Sequence, residues 1–125
     1  MRFRIGQRAG LTALCLAVLP GVAVAQTQMQ MNQQASAEFR IAAARLDLVY
    51  ARVLRDSDPH RQDLLRQAER DWVAYRDAEC AYRTAGSEGG SIHPLEIISC
   101  RTELTRVRTR ALERSDCKPG DPACQ

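Results

Sequence analysis

Three stretches of apolar residues spaced by three and four positions, each bounded by a turn signal, constrain this chain more than any other feature. In the first, Phe39, Ala42, Ala43, Leu46, Tyr50 and Val53 share one side of a 3.6-residue repeat, and Arg40, Arg45, Arg52 and Arg55 fall largely off it. The spacing predicts a helix from about Met31 to Leu54, preceded by a weakly patterned, Gln- and Met-rich lead-in over 26–34. Asp56-Ser57-Asp58-Pro59 stops it and starts the next helix, with Asp58 as N-cap and Pro59 in the first turn. That second helix runs to about Thr84 with the stripe Leu65, Ala68, Trp72 and Tyr75. A glycine-rich loop, flexible by composition, spans Ala85 to Ser91. Pro94 opens a third helix, capped by His93 and running to about Arg114, with Ile97, Cys100, Leu104, Val107 and Ala111 on one face. No alternating strand pattern and no internal repeat compete. The expected fold is all-α, a small antiparallel bundle of three main helices around one modest core.

The N-terminus constrains where such a bundle lives. Arg2, Arg4 and Arg8 precede an apolar run from Leu11 to Leu19; Pro20 and Gly21 break it, and Ala23-Val24-Ala25 forms a small-x-small cleavage site before Gln26. The run is shorter than the about 20 residues a bilayer span needs. Leu14 before Cys15 does not make a lipobox. The expectation is a signal peptide over 1–25, cleaved after Ala25, a helical domain over 26–116, a Cys-bounded tail over 117–125, and release into the periplasm or medium. The chain's net charge of +3 resides in the three leader arginines, so the rest, with 15 basic and 15 acidic residues, is formally neutral. No overall basic field favours nucleic acid or an anionic membrane.

An even number of cysteines in an exported chain reads as disulfides. Cys80, Cys100, Cys117 and Cys124 allow three pairings. Cys80 lies late in the second helix and Cys100 early in the third, positions that meet in an antiparallel hairpin, so Cys80–Cys100 with Cys117–Cys124 is the preferred set.

Catalytic constellations are sparse. His60 and His93 lack further ligands at metal spacing. There is no Gly-x-Ser-x-Gly elbow, and Ser91 with His93 is only a local pair in a loop. Asp71, Asp77 and Glu79 sit among arginines and read as salt-bridge partners. Trp72 and Tyr75 read as core. Arg76 and Arg108 border the buried faces, and Asp47, Asp77, Glu79 and Glu103 are the carboxylates expected to pair with them. No cofactor, metal or enzyme activity is expected.

The block Ala68-Glu69-Arg70-Asp71-Trp72-Val73-Ala74-Tyr75-Arg76-Asp77-Ala78-Glu79-Cys80, followed by Gly89-Gly90-Ser91, a proline, Cys100 and Leu104-Thr105-Arg106-Val107-Arg108, resembles the LprI-like lysozyme-inhibitor domain family. The resemblance covers nearly all of the domain and makes Trp72, Tyr75, Arg76, Asp77, Thr105 and Arg108 family-motif structural residues. The chain departs from the family pattern at Gln34, where a cysteine is usual, and at Ala43 and Asp47. The resemblance implies an exported, helical, non-enzymatic protein that binds lysozyme or another envelope protein. The alternative is a structural or stress-related envelope module with a different partner. The loop residues Glu88, Gly89, Gly90 and Ser91 are the expected partner contact.

Overall fold

The computed structural model describes the backbone of residues 20–116, with side chains from residue 27 onward. Its elements are α1 (Pro20–Arg55), α2 (Pro59–Arg83), a short 3-10 turn (Ala85–Ser87) and α3 (His93–Ser115). The described residues are all-helical, as the periodicity requires. Helix α1 begins eleven residues earlier than the apolar stripe predicts. The lead-in lacks a core stripe, but past Gly21 it contains no glycine or proline, and its Gln, Met and Ala residues favour helix. The expected cleavage point after Ala25 therefore falls inside α1.

The boundary between α1 and α2 follows the sequence. Asp58 is extended, its carboxylate accepts from the Arg61 N–H at 3.0 Å, and Pro59 occupies the first turn, where its missing N–H costs nothing. The Arg61 amide holds the Asp58 carboxyl below the usual carboxylate range. A carboxylate lowered in the folded state stabilises above its unfolded pKa, and that contribution is lost as pH falls through the folded value. Asp58→Asn keeps a capping oxygen but cannot titrate. We expect its thermal midpoint to fall less than that of the wild type between pH 4 and lower pH, read by circular dichroism.

Helices α1 and α3 run parallel and share the most extensive contact, with α2 antiparallel between them in chain order. Arg45–Glu113 at 2.7 Å and Arg52–Asp116 at 3.1 Å link the C-terminal half of α1 to the end of α3. Leu46, Val49 and Val53 of α1 form the apolar cluster with Leu112 of α3, and Tyr50, Leu65 and Trp72 pack against it.

The buried face of α3 differs from the expected one. Thr102, Thr105, Thr109 and Leu112 are buried, whereas Val107 is exposed. A threonine in a helix can return its hydroxyl to the carbonyl four residues back and then pack like valine. Thr102 does so to Ile98 O and Thr109 to Thr105 O, both at 2.9 Å. The same correction applies to α2: Ala68 and Tyr75 are exposed, and the inward residues are Leu65, Glu69, Trp72, Arg76 and Cys80. Tyr75 is thus not a core partner of Trp72.

Cys80 and Cys100 are disulfide-bonded with their Cα atoms 5.7 Å apart, closing the α2–α3 hairpin. Cys117 and Cys124 lie outside the described residues. The connecting loop is a run of hydrogen-bonded turns rather than the loose segment its glycines suggest. Ser87 N–H donates to Thr84 O at 3.1 Å, Gly90 N–H to Ser87 O at 2.9 Å, and His93 N–H to Gly90 O at 3.3 Å. Gly89 has φ +79°, a backbone region that side-chain-bearing residues disfavour. His93 does not cap α3. Ile92 holds the cap position without a side-chain bond, and His93 is the first helical residue.

Candidate functional site

The family-like residues converge where the three helices meet. Trp72 lies between two guanidinium groups: Arg76 is 5.3 Å from its ring centre and Arg108 of α3 is 5.9 Å from it. Arg76 also stands 5.6 Å from the ring of Phe39 on α1. Each arginine is held by a carboxylate. Arg76 Nη2 is 2.9 Å from Asp77 Oδ1, and Arg108 Nε donates to Glu69 Oε2 at 3.0 Å. Asp77 was an expected partner; Glu69 was not. Glu69 lies three residues before Trp72, one helical turn back along the same face, a position that could have identified it.

Arg101 of α3 joins the cluster with its Nε 3.2 Å from Asp77 Oδ1. The approach is too oblique for a hydrogen bond, which leaves Nε without one, so charge attraction makes this link. Thr105 is fully buried beside the cluster, and its hydroxyl has no hydrogen-bond partner among the described residues. Trp72, Arg76, Asp77, Thr105 and Arg108 are therefore brought together, and Tyr75 is not. Between α1 and α2 this arrangement leaves an open cleft of about 600 Å³, walled by Leu46, Tyr50, Trp72 and the stems of Arg66, Arg70 and Arg76. The contact between α1 and α2 is slight.

A second group of residues sits at the disulfide end. Glu88, Gly89, Gly90 and Ser91 are all exposed on the loop. Next to them Tyr82 is 80% exposed, and Tyr75, seven residues earlier on the same side of α2, is 55% exposed. The periodicity of α2 placed Tyr75 inside and gave no role to Tyr82; the aromatic pair was legible only once the inward face of α2 was fixed by Cys80. Ser87, not Ser91, is the residue that meets His93, with Oγ and Nδ1 3.1 Å apart. The Ser87 hydroxyl donates to Thr84 O at 3.0 Å, so it accepts from the imidazole, and the pair acts as a loop staple rather than as nucleophile and base. Among the described residues, no group of three or more His, Cys, Asp or Glu side chains could hold a metal ion. No described helix is long and apolar enough to cross a membrane.

Fold and site together define a small all-helical protein built on a disulfide-closed hairpin, with paired charges around one tryptophan. Residues 22–112 match the family described as lysozyme inhibitor LprI, and the chain belongs to that family. An uncharacterised protein of Rhizobium meliloti (strain 1021) is 32% identical over 107 residues, covering 75% of this chain and 77% of the relative. No solved structure matches the chain.

Proposed function

We propose that this protein is exported, with its leader removed after Ala25, and inhibits a lysozyme-type muramidase by protein–protein contact. The family match over 22–112 carries the reading. The arginine-led apolar N-terminus and the buried Cys80–Cys100 bond agree with an oxidising compartment outside the cytoplasm. The contact is assigned to the disulfide end of the hairpin. There two exposed tyrosines supply large, stiff contact area, and Glu88 supplies negative charge toward a cationic enzyme. The turns and the disulfide hold these side chains on a rigid platform, which lowers the ordering cost of binding.

The purified protein is expected to slow cell-wall lysis by at least one of several lysozyme types at micromolar concentration. Tyr82→Ala combined with Glu88→Arg should weaken that inhibition by about tenfold or more while leaving the thermal midpoint unchanged, because neither side chain is part of the core. No binding and no inhibition at about 10 micromolar, a concentration that would detect even a modest interface, against every lysozyme tried would refute the proposal.

A further inference from the structure

Helix α1 carries a second apolar stripe that its own fold leaves largely uncovered. Ala37, Ile41, Ala44, Leu48 and Ala51 follow alternating steps of four and three residues, the spacing of a two-helix seam. They lie on the side of α1 opposite Ala42, Leu46, Val49 and Val53, which are buried. Ile41 is 71% exposed and Leu48 70%. Residues 117–125, Cys-Lys-Pro-Gly-Asp-Pro-Ala-Cys-Gln, contain no apolar stripe with which to cover it.

We propose that this seam is the interface of a two-fold, antiparallel homodimer. The pattern of sizes and charges selects this occupant. When two copies of α1 cross antiparallel about a two-fold axis beside Ala42 and Ala43, Ile41 faces the second copy's Ala44, and Leu48 faces its Ala37. Every large side chain then meets a small one, which allows close approach without voids. The same register sets Arg40 opposite the second copy's Asp47, twice by symmetry. Within one chain neither Arg40 nor Asp47 forms an ion pair among the described residues, although most of the nearby charges do. On the other flank Glu38 and Arg45 are engaged by Arg106 and Glu113 of α3. A parallel pairing would instead oppose Ile41 to Ile41 and bring Arg40 against Arg45 of the second copy, a like-charge contact.

Sedimentation equilibrium on the protein recovered after export tests this. Because the seam is narrow, the apparent mass should double only as concentration rises through roughly 1–200 micromolar, as for a small interface. Ile41→Lys with Leu48→Lys should remain folded, since both positions are exposed, and should stay monomeric throughout. Arg40→Asp alone and Asp47→Arg alone should each weaken self-association by about tenfold, and the two together should restore it. A wild-type protein that is monomeric at the highest concentration overturns the proposal. So does a dimer that the lysine pair leaves intact, or a charge swap that fails to restore association. Loss of lysozyme binding in the lysine variant of a protein that never dimerises would assign the seam to a different partner and would equally overturn it.

Discussion

Replacing both Cys80 and Cys100 with alanine should lower the thermal midpoint by roughly 12–24 °C. The bond joins residues 20 apart in sequence and holds their Cα atoms, one on α2 and one on α3, 5.7 Å apart. In the unfolded chain it removes loop-closure entropy worth about 3 kcal/mol. In a chain whose whole stability falls in the range of about 5–15 kcal/mol, that is a large share. The neighbourhood offers little compensation. Cys80 is fully buried and packs beside Thr84, whose hydroxyl is tied to Cys80 O at 2.8 Å, so alanine there loses contacts as well as the crosslink. Arg83, paired to Glu79 at 2.9 Å and Glu103 at 3.4 Å, and Arg101, 3.2 Å from Asp77, are the ion pairs left at this end, and they are solvent-screened. Cys117→Ala with Cys124→Ala is expected to cost far less, because six residues separate that pair and its closure orders only a tail. Differential scanning calorimetry of the two double variants checks both expectations. Equal midpoints for them would refute the assignment of Cys80–Cys100 as the main staple.

The sequence showed the number of helices, their boundaries after Asp56 and the Cys80–Cys100 closure, because each rests on a local signal. Asp58 and Pro59 act within one turn, and apolar spacing on α1 survives because Leu46, Val49 and Val53 have no polar competitor on that face. The inward faces of α2 and α3 were less legible. Threonine reads as polar in a pattern, yet three threonines line the buried side of α3, where two of them satisfy their hydroxyls on their own helix. Arg76 reads only as a border residue in need of a carboxylate, and Glu69 carries no signal of its own, yet both form part of the inward face of α2. Trp72 supplies a surface for the arginine, and Arg108 supplies a cation for the glutamate. Periodicity places Tyr75 and Val107 inside, yet both lie exposed, because α2 and α3 each turn these polar residues inward instead. An apolar-count reading cannot find a core interface built from threonine hydroxyls and ion pairs.

That paired-charge interface leads to the second large effect. Arg108→Ala should destabilise the protein by about 2 kcal/mol, a fall of roughly 8–16 °C in midpoint. Arg108 and Glu69 side chains are only 19% and 16% exposed, and they meet at 3.0 Å across the α2–α3 contact. Removing the cation leaves the Glu69 carboxylate largely shielded from water with no counter-charge, and removes one of the two guanidinium groups stacked on Trp72. The remaining exposure allows some water to reach the carboxylate, which keeps the cost below that of a fully buried pair. The same reasoning predicts how the loss can be recovered. Arg108→Met with Glu69→Met replaces both charges with apolar side chains that fit against Trp72, so the double variant should be more stable than Arg108→Ala despite carrying one more substitution. A double-mutant cycle built from Arg108→Met, Glu69→Met and their combination should give a coupling energy of about 1–2 kcal/mol. Additive losses would mean that the two side chains do not depend on each other, and that Trp72 rather than the ion pair holds α2 against α3.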